Sequence, residues 1–389
     1  MTLHHPPRLP RGFRCAAINC GIKAEGDDLS LFASDRLAAA AAVFTRNHVA
    51  GAPVVVGREV IREGRLQAVV VNSRVANVGT GVEGIEGARR MGRAAARALG
   101  IAPDLVLMSS TGVIGVPLPI EKIEAGMPRL AAGLQEDPLV GARGIMTTDT
   151  HPKALSLSVG EEATLTVVGK GSGMVEPNMA TVLVYAFTDA ALDAQALDRA
   201  LRGVVHETLN MLSVDSDTST SDTCALLANG AAGPVGEGLF RTALQEGMEA
   251  MTEMLARDGE GATTLVRVTV TGADGVADAR SVAKSLINSP LVKTMVYGGD
   301  PNVGRILMAV GKCFSCRIEP DRISARISGA QVLEGGRKVP FDEADVRSRL
   351  RADPVDLEVD LGIGADRARA WGCDLTHGYI DENAAYYSS

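Results

Sequence analysis

The chain has 389 residues, of which 46% are hydrophobic and 22% charged, which predicts a globular protein with a substantial core rather than a fibrous or disordered one. Its formal net charge of -8 argues against a nucleic-acid partner, because phosphate binding draws on clustered lysine and arginine. The N-terminus lacks an apolar signal segment, and the longest apolar run, LAAAAAVF, is too short to span a bilayer. We therefore expect a cytoplasmic protein without a membrane partner, and six scattered cysteines fit a reducing compartment.

The first predicted elements are two strands followed by a helix. APVVVG at 52–57 and RLQAVVVNS at 65–73 are rich in β-branched residues, which predicts two strands. EGIEGARRMGRAAARALG at 83–100 predicts a half-exposed helix. DLVLMSS at 104–110 is an apolar strand that stops abruptly in the glycine turn 111–115. A strand that runs into a glycine turn is a geometry that builds functional sites.

Further strands and helices are predicted to the end of the chain. A helix is predicted to begin near Pro119, VLVYAF at 182–187 predicts a buried strand, and helices are predicted near 195–212 and 239–257. TLVRVTVTG alternates apolar and polar residues and predicts a strand that ends at Gly272. We find no repeat and no Pro/Ser-rich linker, so the sequence places no domain boundary.

Common motifs for cofactors and metals are mostly missing. Gly171-Ser-Gly173 and Gly362-Ile-Gly364 lack the third glycine of a dinucleotide fingerprint, and no phosphate-binding loop is present. Cys313 and Cys316 form a single C-x-x-C pair, whereas a zinc site needs four ligands. DSDTSTSD at 215–222 lacks the glycine and glutamate of a calcium loop, so we interpret it as a structural loop of Asx and Ser/Thr turns. We therefore expect no bound metal.

Thr181 lies where KGSGMVEPNMAT, at 170–181, meets the predicted strand VLVYAF. A threonine hydroxyl needs an adjacent base to act as a nucleophile, and its own α-amine can supply one if the preceding peptide bond is cut. An α-amine titrates near ~8, so it is partly neutral at working pH and can accept the hydroxyl proton. The alternative is a β-branched residue that simply begins a strand. The residues alone leave both interpretations open.

The segment KGSGMVEPNMAT closely resembles the signature of the ornithine acetyltransferase (glutamate N-acetyltransferase) family of arginine biosynthesis. The resemblance covers nearly the whole chain, in the right order, through SSTGVIG (109–115), IMTTDTHPK (145–153), DTSTSDT (217–223), DGEGAT (258–263), SPLVKT (289–294), GGDPN (298–302) and the terminal NAAYYSS.

The resemblance implies a fold and a nucleophile. We expect an α/β fold with the layered αββα arrangement that these enzymes share with related aminopeptidases, and a second, smaller α/β domain. The precursor is expected to cut itself between Ala180 and Thr181. The fragments 1–180 and 181–389 would be intertwined in one fold and would assemble as α2β2 or larger. Thr111 and Gly112 are implied as the oxyanion hole.

The resemblance also implies a reaction, in which Thr181 carries an acetyl group from N2-acetyl-L-ornithine to L-glutamate. No bound cofactor is implied, and acetyl-CoA remains open as an alternative acetyl donor. Lys170 is expected to neutralise a substrate carboxylate, and Glu260 to pair with the ornithine ammonium group. The full set of implied substrate-binding residues is Thr147, Lys170, Thr181, Glu260, Asn383 and Ser388.

Four positions depart from the family pattern. The family usually reads S-G-N-A-N where this chain has Ser73-Arg74-Val75-Ala76-Asn77, and Ser216 and Val303 replace a glycine and a large aromatic residue. These changes leave the nucleophile and the oxyanion turn intact but put the acceptor in question. The alternatives are an acyltransferase of a specialised pathway with another acceptor, or an amidohydrolase or aminopeptidase in which water resolves the acyl-enzyme. A non-catalytic binding protein is a third alternative.

Overall fold

The computed structural model describes residues 2–176 and 182–384. They divide into two compact units. Unit 1 comprises Met1–Gly171, Pro177–Asn210 and Thr218–Met251, and unit 2 comprises Ser172–Glu176, Met211–Asp217 and Thr252–Ser389.

Strands and helices follow one another in a mixed order along the chain. The first are β1 (Phe13–Ile18), β2 (Leu29–Phe44), α1 (Ala52–Val60), β3 (Arg65–Asn72), α2 (Gly81–Leu99), β4 (Val106–Ser110), α3 (Ile120–Ala132), α4 (Pro138–Ile145), β5 (Lys153–Val159), β6 (Ala163–Lys170), β7 (Leu183–Ala191), α5 (Ala194–Glu207), β8 (Leu212–Ser213), β9 (Thr223–Pro234) and α6 (Glu237–Arg257). They are followed by β10 (Leu265–Ala273), α7 (Val276–Ile287), α8 (Pro290–Gly298), α9 (Gly304–Gly311), β11 (Ser324–Ile327), β12 (Ala330–Glu334), β13 (Arg337–Lys338), α10 (Glu343–Leu350), β14 (Val355–Asp360), β15 (Asp366–Cys373) and α11 (His377–Asn383).

Unit 1 is built on a mixed sheet with the strand order β4-β3-β2-β9-β7-β6-β5, and β1 also pairs with β2. Two buried apolar clusters stabilise it, because burial of apolar surface is the main favourable term in folding. In one of them the rings of Phe32 and Phe187 stack with centroids 5.2 Å apart. In the other, Met91 of α2 and Met127 of α3 are buried. The sheet thus provides a rigid frame for the residues that follow β4 and β6.

Unit 2 contains a smaller sheet with the order β13-β12-β11-β14-β10-β15-β8. Helix α7 contacts β10 and β15. Its buried residues recur at helical spacing, as expected for a helix with one apolar face, and they are Ala279, Val282, Ala283, Leu286 and Ile287. The predicted α/β class with a second, smaller α/β domain is therefore confirmed.

Most elements predicted from the sequence are present, but the strand predicted at 52–57 is wrong, because these residues form helix α1. Pro53 lies in the first turn of α1, where a missing N–H costs nothing. Ala52 and Val56 belong to one apolar cluster and Val54 to the other. Burial on two sides outweighs the weak preference of β-branched residues for strands.

The compact units do not coincide with the predicted fragments 1–180 and 181–389. Strand β7, which follows residue 181, lies between β6 and β9 in the sheet of unit 1. Both predicted fragments therefore contribute strands to one sheet, while the cleavage that would create them stays a prediction. Within the described ranges, no helix combines the length and the apolar character needed to cross a lipid bilayer.

Candidate active site

The turn after β4 is held by a buried asparagine. Strands β3 and β4 are parallel, and their last residues, Asn72 and Ser110, are partners in the register. The backbone N–H of Thr111 donates to the Asn72 carbonyl at 3.0 Å. The Asn72 side chain accepts the Ser110 hydroxyl at 2.6 Å and donates to the Val75 carbonyl at 2.9 Å. The position of Thr111 is thus set by backbone and side-chain bonds of one residue.

Gly112 is required at this turn. Its φ of +128° is a conformation that side-chain-bearing residues rarely adopt. A Cβ atom on Gly112 would lie 2.2 Å from the carbonyl carbon of Arg74, a distance at which the backbone itself must shift. The next residue, Val113, donates its N–H to the Arg74 carbonyl at 2.9 Å. The segment around Arg74 and the turn therefore fit together only with glycine at 112.

The turn offers two hydrogen-bond donors for a developing negative charge. The Thr111 N–H is engaged with Asn72, so the donor that Thr111 contributes is its hydroxyl. In the part of the chain that the structure describes, the Gly112 N–H has no hydrogen-bond acceptor. A hydroxyl and a backbone N–H side by side are the kind of donors that form an oxyanion hole.

Lys170, the last residue of β6, brings three of the predicted site residues together. Its side chain is buried, with 9% of its surface exposed. The ammonium group donates to the Thr147 hydroxyl at 2.8 Å and to the Thr111 hydroxyl at 3.4 Å. The structure therefore places Thr111, Thr147 and Lys170 in one cluster of unit 1, next to Gly112.

Asp149 contacts several residues of this cluster, and the sequence pattern did not predict it as a site residue. Its carboxylate accepts the Lys153 ammonium at 2.7 Å, the Gly171 N–H at 2.8 Å and the Thr147 N–H at 3.0 Å, and lies 3.9 Å from the Lys170 ammonium. Burial would raise the pKa of Asp149, but the Lys170 and Lys153 ammonium groups and the hydrogen bonds hold that pKa at about 2. Asp149 is thus ionised, and it aligns both Thr147 and Lys170.

Lys23 is a second cation that sequence reasoning missed. Its ammonium donates to the carbonyls of Met146 at 2.8 Å and Asp27 at 3.0 Å. Its loop is organised by the buried carboxylate of Asp28, which accepts the backbone N–H groups of Cys20, Ile22 and Lys23. Burial lowers the pKa of Lys23, and the nearby charge of Lys170 lowers it further. The ammonium groups of Lys23, Lys153 and Lys170 therefore lie near the carboxylates of Asp28 and Asp149 in unit 1.

Unit 2 brings two other predicted residues together. The Asn383 amide donates to a Glu260 carboxylate oxygen at 2.7 Å and to the Tyr379 carbonyl at 3.0 Å. Glu260 is buried, and its N–H donates to the Ser172 carbonyl at 3.1 Å. A Cβ atom on Gly173 would lie 2.1 Å from the Glu260 carboxylate. The second glycine of the KGSG motif therefore leaves room for this carboxylate.

The surroundings of Glu260 in unit 2 are acidic. Burial, followed by the charges of Asp215 and Glu260, raises the pKa of Tyr379 to about 12. Asp215 accepts the N–H groups of Met174 at 2.6 Å and Asp217 at 3.1 Å, so the predicted Asx turn in the DSDTSTSD loop is confirmed. An excess of carboxylates favours an ammonium group rather than an anion as a ligand.

Three predicted residues, Ala180, Thr181 and Ser388, lie outside the described ranges. Lys170 pairs with Leu183 across β6 and β7, and the carbonyl of Val182 accepts the N–H of Thr223 at 3.2 Å. Of the remaining predicted residues, Thr111, Gly112, Thr147 and Lys170 belong to unit 1, whereas Glu260 and Asn383 belong to unit 2.

Two departures from the family pattern occupy left-handed backbone positions. Arg74 has φ +79° and Ser216 has φ +65°, which explains why glycine is usual at both positions. Val303 is buried at the N-terminus of α9. Within residues 2–176 and 182–384, no group of three or more histidine, cysteine, aspartate or glutamate side chains is arranged to hold a metal ion.

Comparisons with known proteins identify the family. The model of the ArgJ family matches residues 14–388. The chain is 46% identical to the arginine biosynthesis bifunctional protein ArgJ of Rhodococcoides fascians over 380 residues, which covers 97% of this chain and 94% of that relative. The chain belongs to the ArgJ family. The family predicted from the sequence motifs is thereby confirmed.

Two further ArgJ-family relatives are informative. The glutamate N-acetyltransferase Oat2 of Streptomyces clavuligerus is 45% identical over 389 residues, which covers 98% of both chains. The crystal structure of the arginine biosynthesis bifunctional protein ArgJ from Bacillus halodurans is similar with a TM-score of 0.50 and 39% identity. That similarity covers 52% of this chain and 98% of the solved chain.

Proposed function

We propose that this protein is a glutamate N-acetyltransferase that moves the acetyl group of N2-acetyl-L-ornithine to L-glutamate. The observation that carries the proposal is the cluster at the end of β6, where the buried Lys170 ammonium bonds to the hydroxyls of Thr111 and Thr147 beside the Gly112 turn. It combines oxyanion donors with a cation suited to an α-carboxylate. Membership in the ArgJ family supports the same reaction.

The proposed nucleophile is Thr181, freed by cleavage of the Ala180–Thr181 bond. Its hydroxyl, with its own α-amine as the base, attacks the acetyl carbonyl of acetylornithine and releases ornithine. The amine of glutamate then attacks the acetyl-threonine ester, which regenerates the enzyme and releases N-acetylglutamate. In both steps the oxyanion would be stabilised by the Thr111 hydroxyl and the Gly112 N–H. The scheme requires no bound cofactor, and acetyl-CoA is an alternative donor to be tested.

The proposal keeps the substrate contacts that the family resemblance implies. Lys170 and Thr147 would bind the α-carboxylate, and Glu260, supported by Asn383, would pair with the ornithine ammonium. The pairing of Asn383 with Glu260 at 2.7 Å and the acidic surroundings in unit 2 support the second assignment. We propose Ser388 as a further substrate contact, and this assignment rests on the family resemblance alone.

The proposal includes self-cleavage between Ala180 and Thr181. Strand β7 begins at Leu183, which is the register partner of Lys170 in β6. The proposal also includes an α2β2 assembly and a cytoplasmic location.

The first experiment is intact mass spectrometry on the wild-type protein, Thr181→Ala and Thr242→Ala. Thr242 is exposed on α6 and its hydroxyl donates to the Gly238 carbonyl of the same helix, so its variant is a matched control. We expect two fragments, the second beginning at Thr181, in the wild type and the control, and a single 40.5 kDa chain in Thr181→Ala. A single chain in all three samples would contradict the proposed mechanism.

The second experiment measures acetyl transfer from acetylornithine in the presence and absence of glutamate. A transferase releases ornithine much faster with the acceptor than without it. Equal rates would indicate an amidohydrolase, in which water resolves the acyl-enzyme. A panel of other amines tests the specialised-pathway alternative, because a preferred acceptor other than glutamate would contradict the proposed substrate.

A further inference from the structure

The hydrogen bond between Lys170 and Thr111 fixes how the Thr111 hydroxyl can act. An ammonium group donates only, so the hydroxyl oxygen, 3.4 Å away, must accept, and its own hydrogen turns away from Lys170. The backbone N–H of Thr111 is already bonded to Asn72. The hydroxyl is therefore the donor through which Thr111 reaches an oxyanion.

The position of the Lys170 ammonium is set by the protein. The Thr147 hydroxyl accepts it at 2.8 Å, and the buried carboxylate of Asp149 lies 3.9 Å away. Asp149 is itself fixed by the Lys153 ammonium and the Gly171 N–H. Lys170 thus points at the oxyanion donor through contacts within unit 1.

A cation at this distance strengthens the donor. Lys170 polarises the O–H bond of Thr111, and hydrogen bonds in a chain reinforce one another in a medium of low dielectric constant. Water screens this polarisation weakly, because the Lys170 side chain is only 9% exposed.

We infer that Lys170 is a positioning residue of the oxyanion hole, which orients and polarises the Thr111 hydroxyl in addition to binding a substrate carboxylate. The inference rests on the proposed function, because it assumes acyl transfer to Thr181. It differs from a role in substrate binding alone in one respect. It requires Lys170 even for an acyl donor that has no carboxylate.

The probe is 4-nitrophenyl acetate, which carries neither a carboxylate nor an ammonium group. The Thr181 oxygen forms a bond to the acetyl carbon, the bond to the phenolic oxygen breaks, and 4-nitrophenolate leaves. The hydroxyl proton passes to the Thr181 α-amine. The initial burst of 4-nitrophenolate measures acylation, and each rate is normalised to the cleaved fraction found by intact mass.

We expect Lys170→Met to slow acylation by the ester about tenfold to a hundredfold, the range for loss of a hydrogen bond from a charged group. Lys170→Arg, which keeps the charge, should recover most of the rate. Thr111→Val should slow acylation roughly 10²-fold to 10³-fold. Lys312→Met, an exposed lysine at the end of α9, is the control and should leave the rate unchanged.

A double-mutant cycle separates the two roles. If Lys170 acts through Thr111, adding Lys170→Met to Thr111→Val should slow acylation further by less than about threefold. The inference is overturned if the rate losses of the two single variants multiply in the double variant. It is also overturned if Thr111→Val is acylated at the wild-type rate. A third contrary result is a wild-type acylation rate in Lys170→Met together with a higher KM for glutamate. That last result would leave Lys170 as a substrate-binding residue only.

Processing and folding give a second readout. Internal cleavage involves no substrate carboxylate, so it tests Lys170 independently of substrate binding. The inference is supported if the Lys170→Met precursor remains uncut although its Tm equals that of the wild type, and if the Lys170→Arg precursor is cut. Failure of the proposed function looks different, because the wild-type protein itself would then show neither cleavage nor a burst. If Lys170→Met transferred acetyl from acetylornithine to glutamate normally and kept the wild-type ester burst, the inference about Lys170 would be refuted while the proposed function would stand.

Discussion

Replacement of Asp149 by asparagine tests whether the buried charge cluster of unit 1 is held together as the contacts indicate. The Asp149 carboxylate is completely buried and pairs with Lys153, whose side chain is also completely buried, at 2.7 Å. Asp149→Asn removes the carboxylate charge that pairs with the Lys153 ammonium. Removal of one partner of a buried ion pair costs about 3–5 kcal/mol. For a unit of this size that loss lowers Tm by roughly 10 °C at pH 7.

The pH dependence provides a second measure of the same carboxylate. The pKa of Asp149 is lowered from its ordinary 3.8 to about 2, so the folded state favours the ionised form. Its contribution is therefore complete above about pH 4 and is lost as the pH falls towards 2. This lowering of the pKa corresponds to roughly 2 kcal/mol in the free energy of unfolding. The wild-type protein should lose this increment between pH 4 and pH 2, and Asp149→Asn should not.

The assay is thermal unfolding followed by circular dichroism from pH 7 to pH 2. Asp198→Asn is the matched control, because Asp198 pairs with Arg202 on the exposed surface of α5 and should contribute little. The reasoning would be refuted if Asp149→Asn lowered Tm by less than about 2 °C at pH 7. It would also be refuted if the variant lost as much stability as the wild type between pH 4 and pH 2.

Three further substitutions test the glycines and the strained backbone. Gly112→Ala places a Cβ atom 2.2 Å from the Arg74 backbone, so the turn must shift. The rate of the burst with 4-nitrophenyl acetate should therefore fall at least tenfold. An unchanged burst rate would contradict the role of the Gly112 N–H as an oxyanion donor. Gly173→Ala displaces the end of the Glu260 side chain, which should raise the KM for acetylornithine with little change in Tm. The control is Gly238→Ala, because a Cβ atom added there has no other atom within 4 Å and should not alter that KM. Equal KM values in the two alanine variants would argue against Glu260 as the ammonium site. Arg74→Gly removes a left-handed arginine and should raise the free energy of unfolding by up to ~1 kcal/mol, and a lower Tm would show that the arginine is not strained there.

The sequence alone identified the family, the α/β class and most elements, because this information is local. The run from DLVLMSS into Thr111-Gly112 indicates a strand followed by a glycine turn whatever surrounds it, and β4 ends at Ser110. KGSGMVEPNMAT is a contiguous signature, so one segment indicated both Lys170 and Thr181.

Other features depend on residues that meet only in the folded chain. APVVVG forms helix α1 because two apolar clusters bury it, and no window of sequence contains both clusters. Arg74 has a left-handed backbone and lies against Gly112, which is far along the chain. The role of Asp149 depends on the burial of its carboxylate with Lys153 and on the approach of Lys170.

The sequence by itself thus determined which chemical groups this protein carries and the order in which they occur. The tertiary structure decided which of these groups interact, since Thr111, Thr147 and Lys170 lie on separate segments and meet only when the sheet of unit 1 forms. The physical reason is that hydrogen bonds and charge interactions depend on distance and burial, which a linear pattern does not specify.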